Sequence, residues 1–192
     1  MELLGNRLIP APIATTWEAL NDPETLKACI AGCESLERTG DEAYTAVVAL
    51  KVGPVSARFK GNLKMTNVDA PNGYTINFDG QGGVAGFGKG SADVKLTAES
   101  TTTTRLVYEA RAQVGGKMAQ IGSRLVDATA GKLADDFFKA FEALLRARLG
   151  PADAALPGTV PVRPREPAGA IGWVLAAIVV LVTLYLILHK AG

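Results

Sequence analysis

The stretch that decides the fold is residues 117–149, KMAQIGSRLVDATAGKLADDFFKAFEALLRARL. Met118, Ile121, Leu125 and Thr129 recur at helical spacing, and Leu133, Phe137, Phe141 and Leu144 continue the pattern. Arg124, Asp127, Lys132, Asp135, Lys139 and Glu142 take the other directions, so one side of a helix faces something apolar. Roughly 33 residues rising about 1.5 Å each give a helix of about 50 Å, enough to cross a small domain. The second apolar group is displaced from the first around the helix axis, which predicts either a bend near Gly131 or a helix that shifts its contact along the sheet. Gly115-Gly116 marks the start and Gly150-Pro151 the end. Such a helix either packs on a solid core or roofs a ligand cavity.

What precedes it is almost wholly strand. Leu3 to Ile9 reads as a first strand, followed by a short helix capped at Thr15 or Thr16 and carrying Trp17 and Leu20. Asn21-Asp22-Pro23 opens a second short helix, with Leu26 and Ile30 on its buried side. Strands follow over Glu34 to Arg38, Tyr44 to Val52 and Val55 to Val68. In the last of these Ala57, Phe59, Gly61, Leu63 and Met65 face one way, while Ser56, Arg58, Lys60, Asn62 and Lys64 face the other. Tyr74, Ile76 and Phe78 alternate likewise, as do Gly88, Gly90, Ala92, Val94 and Leu96, then Leu106, Tyr108, Ala110 and Ala112. The sum is an α+β domain: seven antiparallel strands closed by a long helix. Its inward positions are rich in small residues, notably Gly61, Gly80, Gly88, Gly90 and Ala92, which either permit sharp curvature or leave a hollow. Gly82 to Phe87 reads as a mobile hairpin tip, a cavity gate or a flexible end.

Composition narrows the function. A net charge of +1 over 192 residues, without a basic block, argues against nucleic-acid binding. The only histidine, His189, lies outside the domain, which removes the commonest general base and metal ligand. Cys29 and Cys33 fall near one face of a short helix and read as reduced packing residues, because two thiolates alone do not complete a zinc site. No catalytic or metal-ligating set is expected, nor a covalently bound cofactor. Residues 1–7 lack the pattern of a cleavable signal peptide.

Beyond residue 150 the composition changes. Residues 151–167 hold five of the ten prolines and read as an extended tether. Residues 168–188 contain no charge, and as a helix they would span about 32 Å against a hydrocarbon core of about 30 Å. Trp173 and Tyr185 stand near opposite ends, and Arg163 and Arg165 precede a tail with Lys190 alone. This predicts a single C-terminal transmembrane helix, with the domain of residues 1–150 on the cytoplasmic side of the inner membrane.

Several segments together carry a resemblance: Ala11-Pro12 with Trp17, Asn21-Asp22-Pro23, Cys29-Ile30-Ala31-Gly32-Cys33-Glu34-Ser35-Leu36, Lys51-Val52-Gly53-Pro54-Val55, and Gly115 through Gly122. Over residues 1 to about 149 the chain resembles the CoxG family, proteins associated with molybdenum carbon monoxide dehydrogenases, within the START-like (SRPBCC) helix-grip superfamily. Ala31 stands where the family usually has proline. The resemblance implies a helix-grip cup for an apolar ligand, recruitment of carbon monoxide dehydrogenase to the membrane, and a respiratory quinone (ubiquinone or menaquinone) as ligand linking the dehydrogenase to the respiratory chain. Membrane lipid is a further implied partner.

The candidate cup contacts are Phe59, Gly61, Tyr74, Ile76, Phe78, Gly90, Ala92, Leu106 and Tyr108 from the sheet, with Met118, Ile121, Leu125, Phe137 and Phe141 from the helix. Tyr74 or Tyr108 would donate a hydrogen bond to a ligand carbonyl. The alternative is an anchoring or assembly factor whose cup is filled by its own side chains and whose outer Arg58, Lys60, Lys64, Lys89 and Lys95 meet an acidic partner. An aromatase or cyclase would require polar residues inside the cup, and few are found.

Overall fold

The computed structural model describes residues 2–150. The tether, the apolar stretch with Trp173 and Tyr185, and His189 lie outside the described residues. Among those described, no helix is long and apolar enough to cross a membrane. The order of elements is β1 (Glu2–Ile9), α1 (Ile13–Leu20), α2 (Pro23–Cys29), β2 (Cys33–Gly40), β3 (Ala43–Val52), β4 (Val55–Asp69), β5 (Gly73–Gln81), β6 (Phe87–Ala98), β7 (Thr104–Gly115), α3 (Lys117–Gln120) and α4 (Ser123–Leu149). The strands form one seven-stranded antiparallel sheet in the order β1-β7-β6-β5-β4-β3-β2. Alternation sets its two faces: from Val55 to Met65 along β4 the apolar positions are at least half-buried, while Ser56, Arg58, Lys60, Asn62 and Lys64 are exposed.

The closing helix is not continuous. It breaks after Gln120, where Gly122 takes φ +93°, a left-handed geometry that a glycine adopts without strain. α4 then runs 27 residues, about 40 Å, through Gly131 without interruption, so the discontinuity lies nine residues before the expected bend. A Cβ built on Gly131 meets nothing within 4 Å. Gly131→Ala is therefore expected to stabilise the domain by about 1 kcal/mol, read as a higher midpoint in urea unfolding.

The small helices differ from expectation in two details. α1 starts at Ile13 behind Pro12, and Thr16 is buried within it, its hydroxyl donating to the Ala11 carbonyl at 3.5 Å. Cys29 ends α2 and Cys33 begins β2, so the two thiols do not share a helix face; both are free, and burial pushes both thiol pKa values up. α2 itself begins as expected, with Pro23 in the first turn. The Asp22 carboxylate caps it, accepting from the backbone amides of Glu24 and Thr25 at 3.3 Å each, and from the Thr25 hydroxyl.

That Thr25 hydroxyl bond, aided by the two amides and by Arg148, holds the Asp22 pKa below the ordinary carboxylate value. A depressed carboxylate pKa stabilises above the unfolded value and is lost as pH falls through the folded one. Asp22→Ala is expected to cost about 1 kcal/mol at neutral pH. In urea unfolding the difference from wild type should vanish below the usual carboxylate range.

The core is dense at one end. Ile9, Leu20, Leu96 and Leu106 pack with Phe138, Phe141 and Leu145 of α4, and Leu36, Tyr44, Met65 and Tyr74 form a second cluster against Trp17 and Leu26. The buried stripe of α4 is Val126, Phe138, Phe141 and Leu145, rotated slightly from the expected Leu133, Phe137, Phe141 and Leu144. On β1, Arg7 turns inward, stacking over the Phe138 ring at 5.5 Å and pairing with Asp135.

Candidate functional site

At the other end the sheet and helix part. Between the inner surface of β3–β7 and α3 with the middle of α4 lies an apolar hollow of about 490 Å³. That lies within the roughly 300–1,000 Å³ usual for small-molecule sites. Its floor is one register row running across five strands: Ala46 opposite Gly61, Gly61 opposite Gly80, Gly80 opposite Gly88, and Gly88 opposite Val114. Its roof is Met118, Leu133, Ala134 and Phe137, and its sides are Ile30, Val48, Leu50, Phe59, Leu63 and Phe78. Three successive glycines in one row, set beneath bulky residues, leave space that the rest of the core does not have.

The glycines of this sheet are not equivalent. A Cβ on Gly88 would meet only Val114 Cγ1 at 3.9 Å, and one on Gly80 nothing nearer than the Gly88 carbonyl at 3.8 Å. Both face open space. On Gly61 it would come within 2.8 Å of the Asp79 carbonyl, and on Gly90 it would strike the Arg111 carbonyl and the Phe78 ring at 2.9 Å. Those two are small because neighbouring backbone, and at Gly90 an aromatic ring, already fills their place.

Phe59, Gly61, Phe78, Met118 and Phe137 of the expected contacts border the hollow. Gly90 lies one row away, and Ile76 pairs with Ala92 in the row beyond. Tyr74, Leu106 and Phe141 are in the dense clusters, and Tyr108 stacks on Phe138 with ring centroids 5.3 Å apart. Tyr74 packs edge-on to Trp17 at 5.5 Å, and burial, with Tyr44 nearby, raises its phenol pKa well above the usual value. Neither Tyr74 nor Tyr108 borders the hollow, so a carbonyl lodged there meets neither phenol. Ile121 sits at the break after α3, and Leu125 is 39% exposed, leaning on the β3–β4 turn where a Cβ on Gly53 would lie 2.6 Å from Leu125 Cδ2.

Residues that the sequence reasoning passed over are Ile30 and Ala31 after α2, the inward side of β3 (Ala46, Val48, Leu50), and Leu63, Phe87, Val114, Leu133 and Ala134. On β3 the signal is weak because Val47 and Ala49 make its outer face apolar too. The segment 82–87 forms a single 3-10 turn over Gly83–Ala85 with Ala85 buried; a Cβ on Gly116 would approach Gly86 Cα to 2.6 Å.

A larger and more open concavity, about 1170 Å³, lies on the opposite face among Lys64, Asn77, Asp79, Lys89 and Arg111. Charged and amide side chains share its lining with apolar surface, whereas the smaller hollow is almost wholly apolar and suits a guest without charge. Among the described residues no group of three or more His, Cys, Asp or Glu is placed to hold a metal ion.

Residues 5–146 match the CoxG family model, which describes a subunit of carbon monoxide dehydrogenase. A conserved protein from Geobacillus kaustophilus is similar at 31% identity and TM-score 0.72, over 77% of this chain and 96% of that one. A START superfamily protein from Mycobacterium smegmatis superposes with TM-score 0.59 at 15% identity, over 77% of this chain and 98% of that one. The Zhui aromatase/cyclase from Streptomyces sp. R1128 does so with TM-score 0.61 at 12% identity, over 79% and 97%. These last two show a shared START-like fold. No curated protein matches the sequence.

Proposed function

The chain belongs to the CoxG family of carbon monoxide dehydrogenase subunits, and we propose that it is a membrane-anchored binding protein that lodges a respiratory quinone in the apolar hollow. It recruits the molybdenum carbon monoxide dehydrogenase to the cytoplasmic membrane, so that electrons pass to the respiratory chain. The observation that carries the ligand half of this is that Gly80 and Gly88, in a row continued by Gly61, face an open, apolar space. The dehydrogenase partner comes from the family description alone.

The physical case for a carrier is one of solvation. An isoprenoid leaving the bilayer exposes apolar surface at about 0.8 kcal/mol per methylene-sized group, so each five-carbon unit costs about 4 kcal/mol in water. A lined hollow removes that cost for the part of the guest it encloses. Asn62 and Asp79 touch the hollow, yet their side chains hydrogen-bond to each other at 3.4 Å on the exposed face, which keeps the lining suited to hydrocarbon. Such a lining favours binding over acid–base chemistry, which needs titratable groups beside the substrate.

The test is organic extraction of the full-length protein, purified in mild detergent, followed by mass spectrometry. A quinone recovered in near-stoichiometric amount is the expected result. Recovery of no isoprenoid would leave an anchoring role without a ligand.

A further inference from the structure

We propose that the end of the domain made by the 3-10 turn, the β3–β4 turn, α3 and the first turn of α4 is a docking surface for an anionic lipid bilayer. This rests on the membrane-anchored reading above and names the face that meets the lipid. Val84, at the tip of the 3-10 turn, is 85% exposed, and Phe87, which opens β6 just after that turn, and Leu125 in the first turn of α4 are each 39% exposed. The group is held together locally: the 3-10 turn packs on β4 and α3, Gly86 lies against Gly116, and Leu125 leans on Gly53. Single exposed apolar residues are ordinary on protein surfaces, and Leu4, Leu8, Val68 and Val107 are others among the described residues; Val84, Phe87 and Leu125 differ in sharing one end with exposed cations.

Lys51, Lys117 and Arg124 are exposed on these same elements, and none is in an ion pair within the described residues; Asp127, at the second turn of α4, is the acidic neighbour. Exposed apolar side chains on elements that also carry cations without an ion pair among the described residues suit the interface of an anionic bilayer, where each cation strengthens attachment roughly fivefold. Phe87 and Met118 belong both to this end and to the lining of the hollow, so lipid held here would border the site itself.

The chain length outside the described residues fits this placement. α4 leads away from this end for about 40 Å and finishes at Gly150, beside Pro10, Pro12 and Thr101 to Thr103. By length alone the 17 residues 151–167 are enough to return over that distance, since 17 residues at about 3.1 Å each come to about 53 Å. Removing residues 157–162 leaves a reach of about 34 Å, which is not enough.

The experiment uses the full-length chain reconstituted into phosphatidylcholine vesicles, with and without phosphatidylglycerol, and quenching of tryptophan by brominated lipid. Val84→Trp reports on the proposed face, and Thr102→Trp on the opposite end; both keep native Trp17 and Trp173 as common background, and both positions are exposed, so neither change threatens the fold. With phosphatidylglycerol present, the added tryptophan at position 84 should be quenched at least about twofold more than the one at 102. That excess should disappear in the triple variant Lys51→Glu, Lys117→Glu, Arg124→Glu, and on removal of residues 157–162.

Equal quenching at 84 and 102 overturns the proposal, including the case where position 84 responds only to an added acidic protein. Extracting the same samples separates the two claims. Quinone recovered from protein with unquenched Val84→Trp defeats the docking face alone, whereas quenching without quinone upholds the face and defeats the ligand.

Discussion

Gly88→Leu is expected to lower the quinone recovered from the purified protein at least about tenfold, equivalent to about 1.4 kcal/mol of binding, without lowering thermal stability. The added side chain enters space that now holds only Val114 Cγ1 at 3.9 Å, so it competes with the guest and not with the fold. A leucine buried there contributes up to about 1.5–3 kcal/mol of its own, and it replaces a glycine that weakens β6. Loss of ligand with unchanged or raised Tm is thus the signature of an open hollow. A solid core would give the reverse, because overpacking costs about 1–3 kcal/mol. Gly80→Leu should behave in the same way. Gly90→Leu is the control that should fail to fold well, since the Arg111 carbonyl and the Phe78 ring already hold that position.

Phe141→Ala is expected to have the largest effect on stability, costing about 3–5 kcal/mol out of a total of about 5–15 kcal/mol for a domain. Phe141 is 0% exposed and sits among Ile9, Leu20, Leu106 and Leu145, with its ring stacked 5.7 Å from that of Phe137. Removing it opens a cavity in the dense half, among side chains that are themselves buried. Phe137→Ala, four residues earlier and bordering the hollow, should cost clearly less, because part of its surface has no packing partner to lose. Urea unfolding of both variants checks the contrast. Equal losses would mean that the hollow is as tightly packed as the core around Phe141.

Much of this architecture was legible from periodicity. The seven strands and the closing helix follow from alternation over Val55 to Val68, Tyr74 to Phe78 and Leu106 to Ala112, where one wet face and one dry face leave a single register. The break at Gly122 was harder to see: Ile121 and Leu125 keep the helical spacing across it, so the pattern runs through a point where the backbone does not. Spacing along α4 put Phe137 on the apolar stripe and passed over the adjacent Phe138; tertiary packing against Tyr108 and Arg7 selects Phe138 for the core.

The site was legible in kind but only partly in detail. Small inward residues announced the hollow, yet strand pattern alone does not separate Gly88, open to space, from Gly90, filled by Phe78 from the neighbouring strand. That difference depends on cross-strand register. Tyr74, Leu106 and Phe141 share the inward face with true lining residues and differ only in distance along the sheet, toward the end that α1 and α2 cover. The α2–β2 connection with Ile30 and Ala31 reaches the hollow through the backbone contact of Gly32 with Ala49, a long-range meeting that no local pattern encodes.

The central claim is that a guest lies between the glycine row and the middle of α4. A crystal structure of the protein grown with a short-chain quinone tests it most directly. Density for the ring or its prenyl carbons in van der Waals contact with Gly80, Gly88 and Phe137, and an unmoved Phe141 cluster, is the predicted outcome. A hollow closed by Phe59, Phe78 and Phe137 turned inward, with no ligand density between sheet and helix, would contradict it.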